Sequence, residues 1–223
     1  WGHFERAERT GPVTAELTTI LHAAGKKAWF WYIPLSRDRV SVGLVGDSDY
    51  LLKAGAKPTS VFQHHVASSP VMSQRLRAAS CVEGLHVAKE FSYSTTQQCG
   101  DRWVLTGDAF GFIDPVYSTG VLLALRSGEL AADSIVAGLA KNDLSAAQLG
   151  CWVGEFSAAV ARFRRLVRAF YTDDFSFAQF LQKHPNYMGK LVDLLIGRAF
   201  GEEIESMVQD LDRAVREAEH CAV

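Results

Sequence analysis

Residues 103–125 read WVLTGDAFGFIDPVYSTGVLLAL. A short apolar run stops at Gly107-Asp108, a loop carries Asp114-Pro115, and a long helix opens at Ser118-Thr119-Gly120. A helix start leaves backbone N–H groups without acceptors and carries partial positive charge. Exposed beside glycines, such a start suits an anion or an electron-rich oxygen. The stretch also divides the chain, with strand patterns before it and helix patterns after it.

Upstream, residues 15–47 read as a β-meander: AELTTILHAA, a turn at Gly25-Lys26-Lys27, AWFWYIPL, a polar turn SRDR, then VSVGLVGD. The period-two rule puts Trp29, Trp31, Ile33 and Leu35 on one face of the middle strand, and Ala28, Phe30 and Tyr32 on the other. Both faces are apolar, which predicts an interior strand covered on both sides, and Pro34 suits its end. Two short helices follow, over 60–68 with a Ser60/Gln63 capping box and over 70–78 with Pro70 in the first turn. In LHVAKEFSY, Leu85, Val87, Phe91 and Tyr93 alternate, predicting a further strand before the polar loop STTQQCGD. Downstream the pattern is helical: 118–140, a segment from the Ser145/Gln148 capping pair to residue 171, a short piece before Pro185, and two more over 187–220. The expected class is α+β.

Composition narrows the function. With 223 residues and 48% hydrophobic content, the chain can bury roughly 70% of its unfolded surface. The 23 Lys and Arg against 25 Asp and Glu give a net charge of -2, which excludes the basic field that nucleic acid requires. Cys81, Cys99, Cys151 and Cys221 form no C-x-x-C pair, so neither a zinc site nor a disulfide framework is expected, and a reducing, cytoplasmic setting fits. No apolar run approaches the roughly 20 residues of a membrane span, so no membrane partner is expected. The histidines lack H-E-x-x-H spacing, no serine sits in G-x-S-x-G, and neither a P-loop nor a G-x-G pair occurs. The chain opens on Trp1 rather than methionine, and the sequence is expected to begin partway through a larger protein.

Taken together, these motifs carry a resemblance. The run TGDAFGFIDPVYSTG resembles the second FAD motif of the flavin monooxygenase superfamily. Combined with WFWYIP at 29–34, it resembles the flavin-dependent halogenases, which share a W-x-W-x-I-P signature and a D-P-x-x-S-[ST]-G-[VI] loop. Trp29, Trp31, Ile33 and Pro34 match the first; Asp114, Pro115, Ser118, Thr119, Gly120 and Val121 match the second. The resemblance implies that reduced FAD and O2 oxidise a halide and halogenate an organic substrate. It implies further that Asp108 holds the ribityl chain, that Gly107 keeps the backbone close, and that Pro115 lies against the isoalloxazine. The N–H groups around Gly120 and Val121 would face the pyrimidine end of the ring, and Thr119 and Gly120 would hold the halide. Electrons would come from a partner flavin reductase or NAD(P)H.

In this reading, residues 1–100 are a substrate-domain β-meander with short helices, 101–140 the second FAD-motif strand, loop and helix, and 141–223 a C-terminal helical region. The whole protein would have an α/β, Rossmann-type FAD-binding fold, its ADP fingerprint and a catalytic lysine both lying before Trp1. Tryptophan halogenases of this family carry a glutamate where Tyr117 stands. The loop is therefore closer to halogenases of phenols, pyrroles and carrier-bound substrates.

Several readings stay open on the residues alone. Gly-Asp, Asp-Pro and Ser-Thr-Gly are each ordinary turn or cap sequences, and the aromatic strand serves equally as core. An FAD-dependent hydroxylase or a prenyl-type reductase could use the same scaffold, and so could a cofactor-free interaction domain. His64-His65 reads as solvated, and Arg162, Arg164, Arg165 and Arg168 as an exposed helical face. Phe170, Tyr171, Phe175, Phe177 and Phe180 fit either a substrate pocket or helix packing.

Overall fold

The computed structural model describes residues 1–9, 15–23, 27–36, 38–51, 56–89, 92–198 and 204–221. The expected turn at Gly25-Lys26 and the strand residue Phe91 lie outside the described residues. The chain forms two compact units, Trp1–Lys89 and Glu90–Val223.

The first unit holds strands β1 (Gly2–Glu5), β2 (Thr19–His22), β3 (Ala28–Pro34), β4 (Arg39–Gly46) and β5 (Ser80–Cys81), with helices α1 (Ser48–Leu51), α2 (Pro58–Ala67) and α3 (Pro70–Leu76). The strands form one antiparallel sheet in the order β2-β3-β4-β1-β5. The meander is as the alternation predicts. Phe30, Tyr32 and Val42 face α2 and α3 and pack with Phe4, Phe62 and Met72 into one core cluster. The other face is less covered than expected: Trp29 is buried, but Trp31 and Ile33 are half-buried. Trp31 pairs with Gly43, and a Cβ at Gly43 would lie 2.2 Å from the indole, so the ring lies flat across that glycine. Its Nε1 donates to Ser41 Oγ at 3.1 Å.

Helix α2 starts at Pro58, with Lys57 at the cap and no side-chain cap bond, so Ser60 is not its N-cap. A proline fits the first helical position because its missing N–H would be unpaired there anyway, and it outranks a serine two residues on. Residues 85–89 form no strand. Ser80–Cys81 pair with Phe4 and Glu5 of β1, and His86 exchanges backbone hydrogen bonds with Trp1 at 2.7 and 2.8 Å without extending the ladder. Only Tyr93–Ser94 is extended in a ladder, and it pairs within the second unit.

That unit holds β6 (Tyr93–Ser94), β7 (Cys99–Gly100), β8 (Trp103–Val104) and β9 (Gly111–Phe112), then α4 (Gly120–Lys141), α5 (Ala146–Leu149), α6 (Val153–Tyr171), α7 (Phe177–Lys183), α8 (Tyr187–Leu195) and α9 (Glu205–Cys221). The segment from Ser145 is two helices rather than one. Ser145 caps α5, accepting from the Gln148 N–H, but the chain turns at Gly150, where a Cβ would lie 2.3 Å from Cys99 Sγ. Trp152 then turns inward and stacks on Phe110 with ring centroids 5.8 Å apart.

Helix α6 buries Phe156, Phe163 and Leu166 in the same cluster as Val208, Leu211 and Val215 of α9. Its arginines do not form a free face. Arg162 reaches Glu205 at 3.3 Å, Arg165 reaches Asp212 at 3.2 Å, and Arg168 reaches Glu219 at 2.6 Å. Arg164 donates to the carbonyls of Tyr93 and Phe112 at 2.7 and 3.3 Å. Phe175 and Phe180 are core, which answers the packing question for those two rings. Among the described residues, no helix is long and apolar enough to cross a membrane.

Candidate functional site

The Gly107-Asp108 turn and the start of α4 come together because α4 shows the turn a face of small residues. Its buried positions include Ser127, Ala131, Ser134 and Gly138. Gly107 has φ +54, and a Cβ there would touch Ala124 Cβ at 3.4 Å. Its N–H donates at 2.9 Å to Ser127 Oγ, which in turn donates to the Ala124 carbonyl at 3.0 Å. A left-handed residue pressed against a helix favours glycine. Asp108 follows with an exposed side chain, while Tyr93 donates its hydroxyl proton to the Asp108 carbonyl.

At the far end of the loop, Asp114 builds the approach to α4. One carboxylate oxygen accepts the Val116 N–H at 3.0 Å and the other accepts the Tyr171 hydroxyl at 2.8 Å. Pro115–Tyr117 form a single 3-10 turn that Ser118 closes by donating its N–H to the Pro115 carbonyl at 2.8 Å. Burial raises the Asp114 pKa, opposed by the hydrogen bonds from Tyr171 and the Val116 N–H. Tyr117 is pushed up in pKa by burial and then by the Asp114 charge, and it donates to the Leu166 carbonyl at 3.4 Å.

Ser118 adopts the left-handed conformation (φ 54, ψ 34), and α4 begins directly after it. The first bond of the helical ladder runs from Leu123 N–H to the Thr119 carbonyl at 3.0 Å. The N–H groups of Gly120, Val121 and Leu122 therefore have no acceptor one turn back along the helix. The buried Thr119 makes no side-chain cap bond that would occupy them. A Cβ on Gly120 would meet only Phe112, at 3.7 Å, so packing does not demand glycine there; its absence keeps backbone open to a ligand. The Val121 side chain points to solvent, 73% exposed.

These features suit an electron-rich ligand: open N–H donors at a helix start, a bare glycine, and a carboxylate one loop away. Gly107, Asp108, Pro115, Ser118, Thr119, Gly120 and Val121 all belong to this one loop system. The aromatic strand Ala28–Pro34 belongs to the first unit. His64 is exposed, as expected, whereas His65 is half-buried. Cys81 and Cys151 are exposed free thiols, and Cys99 is a half-buried one. Two contributors escaped the sequence reading, Ser127 and the hydroxyl of Tyr171. A serine inside the apolar stripe of α4 was a signal for the first; for the second there was none beyond its place in an aromatic cluster.

The chain has relatives among known proteins. The family described as tryptophan halogenase matches residues 4–212. The chain is 26% identical over 205 residues to the 1H-pyrrole-2-carbonyl-(peptidyl-carrier protein) chlorinase of Pseudomonas fluorescens, covering 91% of this chain and 45% of that protein. It is 33% identical over 144 residues to the corresponding brominase of Pseudoalteromonas luteoviolacea, covering 64% of this chain and 35% of that protein. The chain thus spans less than half the length of these curated relatives. Among solved structures, the flavin-dependent brominase Bmp2 superposes with a TM-score of 0.87 at 27% identity, over 98% of this chain and 55% of that one.

Proposed function

The chain belongs to the tryptophan halogenase family, and from that membership we propose that it is part of an FAD-dependent oxidoreductase that halogenates an organic substrate. The observation that carries the reading is the uncapped start of α4, with its open N–H groups at Gly120 and Val121 behind the left-handed Ser118. In this reading residues 101–140 are the second FAD motif, residues 1–100 belong to the substrate domain, and residues 141–223 are the helical region behind the motif. The ADP-binding, Rossmann-type part belongs to the rest of the protein. When bound, reduced FAD would give two electrons to O2, which would take two more from the halide, and the flavin would be reduced again by a flavin reductase or NAD(P)H.

The protein's own residues bind and orient. Gly107 brings the backbone near the ribityl chain, and the exposed Asp108 carboxylate accepts its hydroxyl hydrogen bonds. Pro115 offers a flat apolar surface to the ring. The N–H groups of Gly120 and Val121 stabilise negative charge on the pyrimidine edge with the dipole of a 22-residue helix behind them. The amides at Thr119 and Gly120 hold the halide, next to the buried Thr119 side chain.

For the substrate, Tyr117 favours a phenol, a pyrrole or a carrier-bound ring over free tryptophan. A glutamate at that place would bring a charge to the loop; Tyr117 instead is an aromatic ring, packed edge-on against Phe170 with centroids 6.2 Å apart. The pyrrole-carrier chlorinase and brominase among the relatives point the same way.

The test uses the full-length protein loaded with FAD, reduced and mixed with oxygenated buffer, with and without bromide. Bromide-dependent bromination of an added electron-rich trap is the expected result. Flavin reoxidation indifferent to bromide, with a hydroxylated product, would move the reading to a hydroxylase. Failure to retain any flavin would leave a cofactor-free interaction domain.

A further inference from the structure

We infer that Tyr171 is a positioning residue for the anion-holding amides at Thr119 and Gly120, acting through Asp114; the inference rests on the reading of that site given above. Tyr171 is the last residue of α6, 57 positions from Asp114, and its hydroxyl donates to Asp114 Oδ2 at 2.8 Å. Asp114 Oδ1 accepts the Val116 N–H at 3.0 Å, which fixes the Pro115–Tyr117 turn. That turn delivers Ser118 in a left-handed conformation, φ 54, where a residue with a side chain persists only if its surroundings hold it. The N–H groups of Thr119 and Gly120 come next, so their aim is set by this turn.

The same turn is pinned to α6 at its other end. Tyr117 donates to the Leu166 carbonyl and meets Phe170 edge-on. The last two turns of α6 thus form a rigid backing for the loop, with Tyr171 holding the carboxylate that starts it. The Gly107-Asp108 turn is held separately, through Ser127. Loss of the Tyr171 hydroxyl loosens the approach to α4 and leaves the other clamp in place. The anion, bound by a few short N–H bonds, is more sensitive to that loosening than a large cofactor bound along its length.

The experiment compares Tyr171→Phe with wild type in the full-length protein by two readouts. The first, without flavin, is backbone amide exchange over residues 114–121, expected to accelerate about tenfold in the variant. The second, with FAD, is the bromide dependence of turnover, where KM for bromide is expected to rise about tenfold and kcat at saturating bromide to fall much less. Asp114→Asn, which keeps an acceptor for the Val116 N–H, is the second variant and should shift both readouts in the same direction. Unchanged exchange in the loop overturns the proposal. Faster exchange with an unmoved bromide KM also overturns it, since Tyr171 would then support the fold alone. A wild-type enzyme that binds flavin but ignores bromide sinks the halogenase reading first, and the halide role of Tyr171 with it, whatever the exchange rates.

Discussion

Asp114 is a half-buried carboxylate whose charge is held in place by two donors, and the balance between burial and those donors has a measurable sign. Burial raises its pKa, so the folded protein holds the proton more tightly than the unfolded chain. Its contribution to stability is therefore favourable at acid pH and is lost as pH rises through the folded-state pKa. Removing the Tyr171 hydroxyl takes away a bond that favours the ionised form, so Tyr171→Phe should move the Asp114 midpoint further up. Carbon-13 titration of the Asp114 carboxyl reads this directly: the wild-type midpoint should lie above about 3.9, the ordinary value, and the variant's higher still. A variant midpoint below wild type would mean the tyrosine is not donating. Trp31 offers a second residue-level case. A Cβ at Gly43 would collide with its indole at 2.2 Å, so Gly43→Ala must displace the ring and break its bond to Ser41. We expect about 1–3 kcal/mol of lost stability from such overpacking, with a red shift in tryptophan emission. Unaltered emission and an unaltered urea midpoint would show that the indole does not lie there.

At the scale of elements, what was legible in the sequence was what local physics decides. Pro70 opens α3 and Ser145 caps α5, as a residue without an N–H and a hydroxyl three residues before an unpaired one should. Ser60 did not cap, because Pro58 had already started its helix. The break between α5 and α6 was invisible, since it comes from Gly150 packing on Cys99, a contact between residues far apart in the chain. The loop of the candidate site was legible as a sequence of turn and cap residues, but the clamps that aim it were not, because Gly107 meets Ser127 and Asp114 meets Tyr171 only after folding. The docking of α9 on α6 was hidden for the same reason, and its energetics can be separated. Leu211 is 1% exposed in the shared core, whereas the Arg168 side chain is 54% exposed in its pair with Glu219. Leu211→Ala should cost about 2–5 kcal/mol through lost contacts and a cavity, and Arg168→Ala less than about 1 kcal/mol. Equal shifts in the two urea midpoints would mean that charge, not apolar burial, holds α9.

At the scale of the whole molecule, each compact unit carries its own core, and among the described residues no buried one is shared between the two clusters. One gathers Phe4, Phe30, Tyr32, Val42, Phe62 and Met72 around the sheet; the other gathers Phe156, Phe163, Leu166, Val208 and Leu211 among the helices. A chain built this way should not unfold as a single cooperative step. Its tryptophans allow the two to be watched apart. Trp1, Trp29 and Trp31 lie in the first unit, and Trp103 and Trp152 in the second. Trp152→Phe should be well tolerated, because the buried indole N–H has no hydrogen-bond partner to lose. In the Trp103→Phe, Trp152→Phe protein, emission reports on the sheet alone. Circular dichroism at the helical band reports mainly on α4, α6 and α9, with 22, 19 and 17 residues against 10 in α2. Met72→Ala, at a position with no exposure, should then lower the fluorescence midpoint in urea by the equivalent of about 2–5 kcal/mol and leave the circular dichroism midpoint nearly in place. If both midpoints fall together, the two cores share one transition.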